Sequence, residues 1–266
     1  LIHVLAGLTL FGCIRRTLLT QPLRDHYGRA APWLAVSVAL IWVIHPLQTQ
    51  SVTYISQRAE SLMGLCYLLT LYCVVRGVGS SHRRGWYAAA VVACALGMGS
   101  KAIMVTAPII ALAYDRIFLV QSWRETVRQR RALYIGFAST WALLVLLSLN
   151  EPKKAGVGFI FEDMTSFEYA LTQPQVILHY LRLAVWPQPL VLDYTWQVMS
   201  SVEEVLLPAL VIAGLVLVTV WTLYRHPALG FLGLWFFVIL APSSSSIPLA
   251  DLAMEHRMYL PLAAVV

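Results

Sequence analysis

Apolar runs recur along the whole chain, and the connections between them are of two alternating kinds, one rich in arginine and the other carrying compact polar motifs. Such a pattern places successive connections on opposite sides of an apolar slab, because a charge at mid-membrane is costly and the same charge at either surface is hydrated. The arginine connections hold Arg15, Arg16, Arg24 and Arg29, then Arg76, Arg83 and Arg84, then Arg116, Arg124, Arg128, Arg130 and Arg131, and last Arg225. Of the 13 acidic residues they keep only Asp25, Asp115 and Glu125. The opposite connections have Arg58, Lys101, Lys153, Lys154, Arg182 and Arg257 among the remaining acidic residues. This is the positive-inside bias, and it leaves one side chemically distinct.

Composition supports a membrane protein. Charged residues make up 12% of the chain, against roughly 25% in soluble domains, and mean hydropathy is +0.71. The basic balance follows the connections and forms no basic face of the kind that grips nucleic acid, so no nucleic-acid partner is expected. Cys13, Cys66, Cys73 and Cys94 lie inside apolar runs without metal-type spacing and read as small core residues. Leu1 at the start and a last apolar run that stops partway suggest a fragment cut at both ends, with no visible signal peptide.

Spans are expected near 1 to 14, 31 to 45, 61 to 75, 86 to 99, 103 to 119, 132 to 149, 205 to 223 and 228 to 241, with a cut one at 258 to 266. Residues 86 to 119 could form one long tilted helix or a hairpin. A single helix would put Arg116 to Arg131 opposite Arg83 and Arg84, breaking the bias, whereas a hairpin at Gly97, Gly99 and Ser100 preserves it and sets Lys101 at its tip. The connection from 150 to 203 is long enough to be functional. Within it, 173 to 186 has helical spacing, with His179 and Arg182 on one face, and suits a helix lying in the interface.

Four motifs fall on the arginine-poor side. The first runs from His45 through Gln48, Gln50 and Gln57 to Arg58 and Glu60, either a solvated loop with an Arg58 to Glu60 pairing or a polar wall for an anionic ligand. Lys101 is the second, a snorkelling lysine or a point charge for phosphate. In the third, His179, Arg182, Asp193 and Tyr194 stand near Trp186 and Trp196, which suits an interfacial aromatic belt or a sugar or peptide site. The fourth contains Asp251, Glu255, His256, Arg257 and Tyr259, ionisable groups at a span's mouth that either pair with one another or serve a function. Asp251, Glu255 and His256 match no strong metal signature.

Taken in order, His45-Pro46 to Arg58-Ala59-Glu60, the Gly-Met-Gly-Ser-Lys stretch ending at Lys101, Tyr169 to Tyr194, and Asp251 to Pro261 resemble the membrane domain of the transmembrane and tetratricopeptide-repeat-containing O-mannosyltransferases, in bacterial form. The resemblance covers nearly the whole chain. It implies an all-α polytopic membrane protein with a GT-C-like multi-span bundle. The implied activity is transfer of a hexose such as mannose from a polyprenyl-phosphate donor to protein hydroxyls, on the periplasmic face of a bacterial inner membrane. Membrane lipids, the donor and an acceptor protein are the implied partners, and no cofactor is implied. Lys101, Arg257 and Arg58 would bind the donor phosphate. His45, Gln50, Glu60, His179, Arg182, Asp193, Tyr194, Asp251, Glu255, His256 and Tyr259 would line the cavity. Catalytic acidic residues are expected in an external loop upstream of Leu1. Ala102 stands where relatives commonly have Glu after the motif lysine, and the repeats that follow the membrane domain in such proteins are absent from these residues. The rival reading is a noncatalytic lipid-binding scaffold or a transporter, although no paired, interrupted helices of the transporter type stand out.

Overall fold

The computed structural model describes every residue except 120–122, 151–164, 193, 200–201 and 246–250. Among the described residues there are helices and turns but no strands, as an all-α polytopic membrane protein requires. The chain divides into two compact units, one of residues 1–45 and 51–150 with Val266, the other of 46–50 and 151–265.

In the first unit, α1 spans Ile2–Leu18, α2 Gln21–Tyr27, α3 Ala31–Ile44, α5 Arg58–Gly77, α6 Arg83–Met98, α7 Ala107–Tyr114 and α8 Trp123–Asn150, while α4, Thr49–Thr53, begins in the second unit and ends in the first. Helices in lipid cannot rely on the hydrophobic effect to associate, so small residues that let backbones approach do much of that work. Ala6, Ala31, Ala35 and Ala39 are buried at the α1 and α3 faces. A Cβ on Gly7 would lie 2.4 Å from Val43, and one on Gly136 2.7 Å from Val91, so both helix pairs need glycine at those contacts. Polar groups pair between these helices: His3 Nε2 lies 3.0 Å from the Val43 carbonyl, the buried Tyr67 and Thr106 hydroxyls lie 3.1 Å apart, and the more exposed Trp141 donates to the Val105 carbonyl at 3.0 Å.

In the second unit, α9 spans Ser166–Val185, α10 Val202–Arg225 and α11 Pro227–Leu240, followed by 3-10 turns at Glu255–Met258 and Pro261–Ala264. Close approach of α10 and α11 again depends on glycine, since a Cβ on Gly230 would meet the Leu223 backbone. Almost all of α10 is apolar and exposed, the signature of a helix whose surroundings are lipid.

Among the described residues, four helical stretches are long and apolar enough to cross a membrane: Ile55–Gly77, Ala102–Leu119, Arg130–Leu147 and Glu203–Arg225. A fifth candidate joins Ala31–Ile44 to Pro46–Thr53 across a break at His45. Local structure departs from uniform spans in several places. Residues 103 to 119 form a 3-10 segment, Ala102–Thr106, then α7, then a π turn at Asp115–Leu119. The apolar run 258 to 266 is made of 3-10 turns, its start tied to the Glu255–Met258 motif. Helix α9 begins at Ser166 instead of 173, because Thr165 and Glu168 close a reciprocal capping box that satisfies first-turn N–H groups. Pro174 then sits inside the helix, where it forfeits one backbone bond.

Candidate functional site

Among the described residues, the side chains of the sequence motifs gather at two polar centres, one in each unit. In the first unit the chain leaves α3 at His45 in an extended conformation, and Glu60 falls in the first turn of α5, where the helix dipole favours a carboxylate. Glu60 is 1% exposed. Its Oε2 accepts from Lys101 Nζ, which comes from the short extended link between α6 and the Ala102–Thr106 turn. The Lys101 side chain keeps 30% of its surface open, so only part of the ammonium is committed to the carboxylate. Arg58 is exposed at the start of α5, and His45 is half-buried. Thus the lysine's acidic partner is Glu60, from a different helix, while Ala102 is exposed beside it.

The second centre is built around the Glu255–Met258 turn, whose residues 255 to 258 are all buried. Arg257 Nη1 donates to the carbonyls of Ser243 and Leu252, each at 3.1 Å, and to Tyr169 Oη at 3.3 Å, while Nη2 donates to the Asp251 carbonyl. Tyr169 Oη itself donates to the Ser243 carbonyl at 2.7 Å. The guanidinium fork therefore pins Asp251 and Leu252, the turn after α11, and the buried face of α9 to one point. Asp251 contributes its carbonyl here and is otherwise exposed.

Glu255 faces the segment after α9. Its Oε1 accepts from Val191 N–H and from Tyr194 Oη, both at 2.8 Å. Burial and the neighbouring Glu255 push the Tyr194 phenol up, keeping it protonated as that donor. Next along the turn, His256 N–H donates to Gln50 Oε1 at 2.8 Å, its Nδ1 lies 3.0 Å from the same oxygen, and Gln50 Nε2 donates to the Leu192 carbonyl at 3.3 Å. Gln48 Nε2 reaches the Tyr259 carbonyl at 3.3 Å, with Tyr259 fully buried. Rings of His179, Tyr194 and Trp196 meet edge to face, His179 being 4.9 and 5.0 Å from the other two. Burial, and then Arg182, lowers the His179 pKa, which favours a neutral imidazole. Arg182 points to the exposed side, and Asp193 lies outside the described residues.

Gln50, Tyr194, Glu255, His256, Arg257 and Tyr259 are thus joined in one network, and Glu60 with Lys101 in another. Sequence reading did not single out Asp115 and Arg130, which form a buried ion pair, with Tyr134 Oη donating to Asp115 at 2.6 Å. Both had been counted with the arginine-rich connection. An acid at the head of that largely basic stretch, which holds just one other, Glu125, was the available signal. Among the described residues no cluster of three His, Cys, Asp or Glu side chains could hold a metal.

A wholly helical protein with several helices long and apolar enough to cross a membrane is an integral, polytopic membrane protein. Its family is specific: the model for dolichyl-phosphate-mannose-protein mannosyltransferases matches residues 3–149, more than half the chain, and the protein belongs to that family. Membership places it among the GT-C membrane glycosyltransferases that use polyprenyl-phosphate mannose. The matched segment contains Glu60 and Lys101, and Gln50 of the second network, and ends before Arg257 and the other members of that network. No curated protein and no solved structure matches the chain.

Proposed function

We propose that this protein transfers mannose from a polyprenyl-phosphate donor to protein hydroxyl groups, as a bacterial O-mannosyltransferase with its arginine-poor face in the periplasm. The observation that carries this reading is the Glu60 and Lys101 pair inside the family-matched segment. A lysine ammonium has three donors. With one directed to Glu60, the rest are free for a donor phosphate, and the point charge would stabilise the phosphate as it leaves with the electrons of the glycosidic bond. Glu60 fixes where that charge stands, and exposed Arg58 supplies a further cation at the head of α5.

The second unit contributes separately. His179, Tyr194 and Trp196 offer aromatic surface of the kind sugars and peptides stack on, with Glu255 orienting Tyr194. Arg257 is engaged with protein acceptors, so its principal role in this reading is to position the turn that carries Glu255, His256 and Tyr259; phosphate would meet it only beside those contacts.

The test is a mannosylation assay in membranes with polyprenyl-phosphate mannose, comparing wild type, Lys101→Ala and Glu60→Gln at equal expression. Loss of Lys101 should cut turnover by about 10²-fold or more, the scale of one electrostatic contact to a developing charge. Glu60→Gln, which frees the lysine from its anchor, should chiefly raise KM for the donor. Full activity in both variants overturns the assignment.

A further inference from the structure

A groove of about 420 Å³ runs between α1 and α5, lined by neither Glu60 nor Lys101. Leu5, Leu8 and Gly12 line one wall and Leu65, Leu69 and Tyr72 the other, with Arg15 and Arg16 at one end. Positions 5, 8, 12 and 16 share a helix face, as do 65, 69 and 72. The Thr9 hydroxyl, also in the groove, is satisfied by the Leu5 carbonyl at 2.7 Å, which leaves the wall apolar. Gly12 allows the floor to close: a Cβ there would lie 2.7 Å from the Tyr72 ring. Over that ring sits the Arg16 guanidinium, 5.8 Å from the centroid, and Arg15 beside it is exposed. Neither arginine has a carboxylate partner among the described residues.

We infer that this groove binds one anionic phospholipid from the surrounding bilayer, its acyl chain along Leu8, Leu65 and Leu69 and its phosphate on Arg15 and Arg16. Length argues for a single leaflet's lipid. From Leu5 to Arg16 the helix rises about 16 Å at ~1.5 Å per residue, close to half of a ~30 Å hydrocarbon core. Charge argues for an anionic headgroup. Two adjacent guanidinium groups with no carboxylate partner among the described residues lie at the mouth, and arginine's fork matches phosphate oxygens. Because Arg16 already rests on Tyr72, less of its side-chain freedom is lost when the phosphate arrives.

The experiment titrates the purified protein, in neutral detergent, with dioleoylphosphatidylglycerol or dioleoylphosphatidylcholine and counts bound lipids by native mass spectrometry. One phosphatidylglycerol should be retained, preferred over phosphatidylcholine by about 30-fold, the scale two interfacial arginines set. Arg15→Gln with Arg16→Gln should abolish the preference, while Arg24→Gln with Arg29→Gln, on α2 and just after it, should leave it unchanged. Leu8→Trp, at a position 62% exposed and so tolerant of bulk, fills the groove with the arginines intact and should weaken binding of both lipids. Equal binding of the two lipids overturns the inference. So does a preference that survives loss of Arg15 and Arg16, one lost equally with Arg24 and Arg29, or an unchanged bound lipid in Leu8→Trp.

Discussion

Two cations expected to act alike stand in opposite surroundings. Lys101 is partly open with one anionic partner, whereas Arg257 is 5% exposed and holds four acceptors. Removing a buried donor leaves its acceptors unsatisfied at ~1–3 kcal/mol each, and water reaches few of them here. Arg257→Met is therefore expected to lower unfolding stability in detergent by about 3 kcal/mol or more, while Arg58→Met, at an exposed position, should stay within ~0.5 kcal/mol. Thermal melts of the two variants beside wild type check the contrast. A pH response belongs to His179. Its imidazole binds a proton less readily in the fold than in the unfolded chain, owing first to burial and then to Arg182. The unfolded state thus takes up more protons as pH falls through about 6.5. The contribution is complete above that pH and is lost below it. Melting temperature should drop more steeply for wild type than for His179→Gln between about pH 8 and pH 5.5, and equal slopes would remove His179 as the cause.

Among the elements, the break between α7 and α8 is the most unusual. A π turn at Asp115–Leu119 and a non-helical Arg130 (φ −125°, ψ 20°) inside α8 bring the two charges together out of water. Breaking one partner of such a pair costs ~3–5 kcal/mol, whereas replacing both by apolar groups is often neutral. Arg130→Met should be severely destabilising and Asp115→Leu with Arg130→Met much less so, as read from detergent melts and expression level. Hydropathy cannot reveal this pairing, because Arg130 lies among four other arginines that read equally as surface charge. The start of α9 was legible, since Thr165 and Glu168 spell a capping box, yet Pro174 invites a later start. That hydropathy predicts one apolar segment at 103 to 119 follows from composition, but its 3-10, α and π parts answer to tertiary partners such as the Tyr67 to Thr106 and Tyr134 to Asp115 hydrogen bonds.

For the molecule as a whole, the sequence carried the fold class because apolar content alone demands helices in lipid. Polar motifs located both centres, but which side chains pair could not be read, as Glu60 and Lys101 stand 41 positions apart and Gln50 and His256 206. Sidedness remains open to a direct measurement. The four native cysteines are buried, so single cysteines can be introduced into the wild-type background. A membrane-impermeant thiol reagent should label Ser81→Cys, in an arginine-rich connection, from one side and Ala102→Cys, beside the lysine, from the other; both positions are exposed. Labelling from the same side would contradict the alternation. The Glu60 and Lys101 pair also has a bearing on biogenesis. During synthesis the carboxylate emerges well before its counter-ion exists, and an unpaired charge resists entry into hydrocarbon. The head of α5 is therefore expected to stay at the wet boundary until the segment after α6 delivers the ammonium, with the Arg76 end of the helix seating before the Glu60 end.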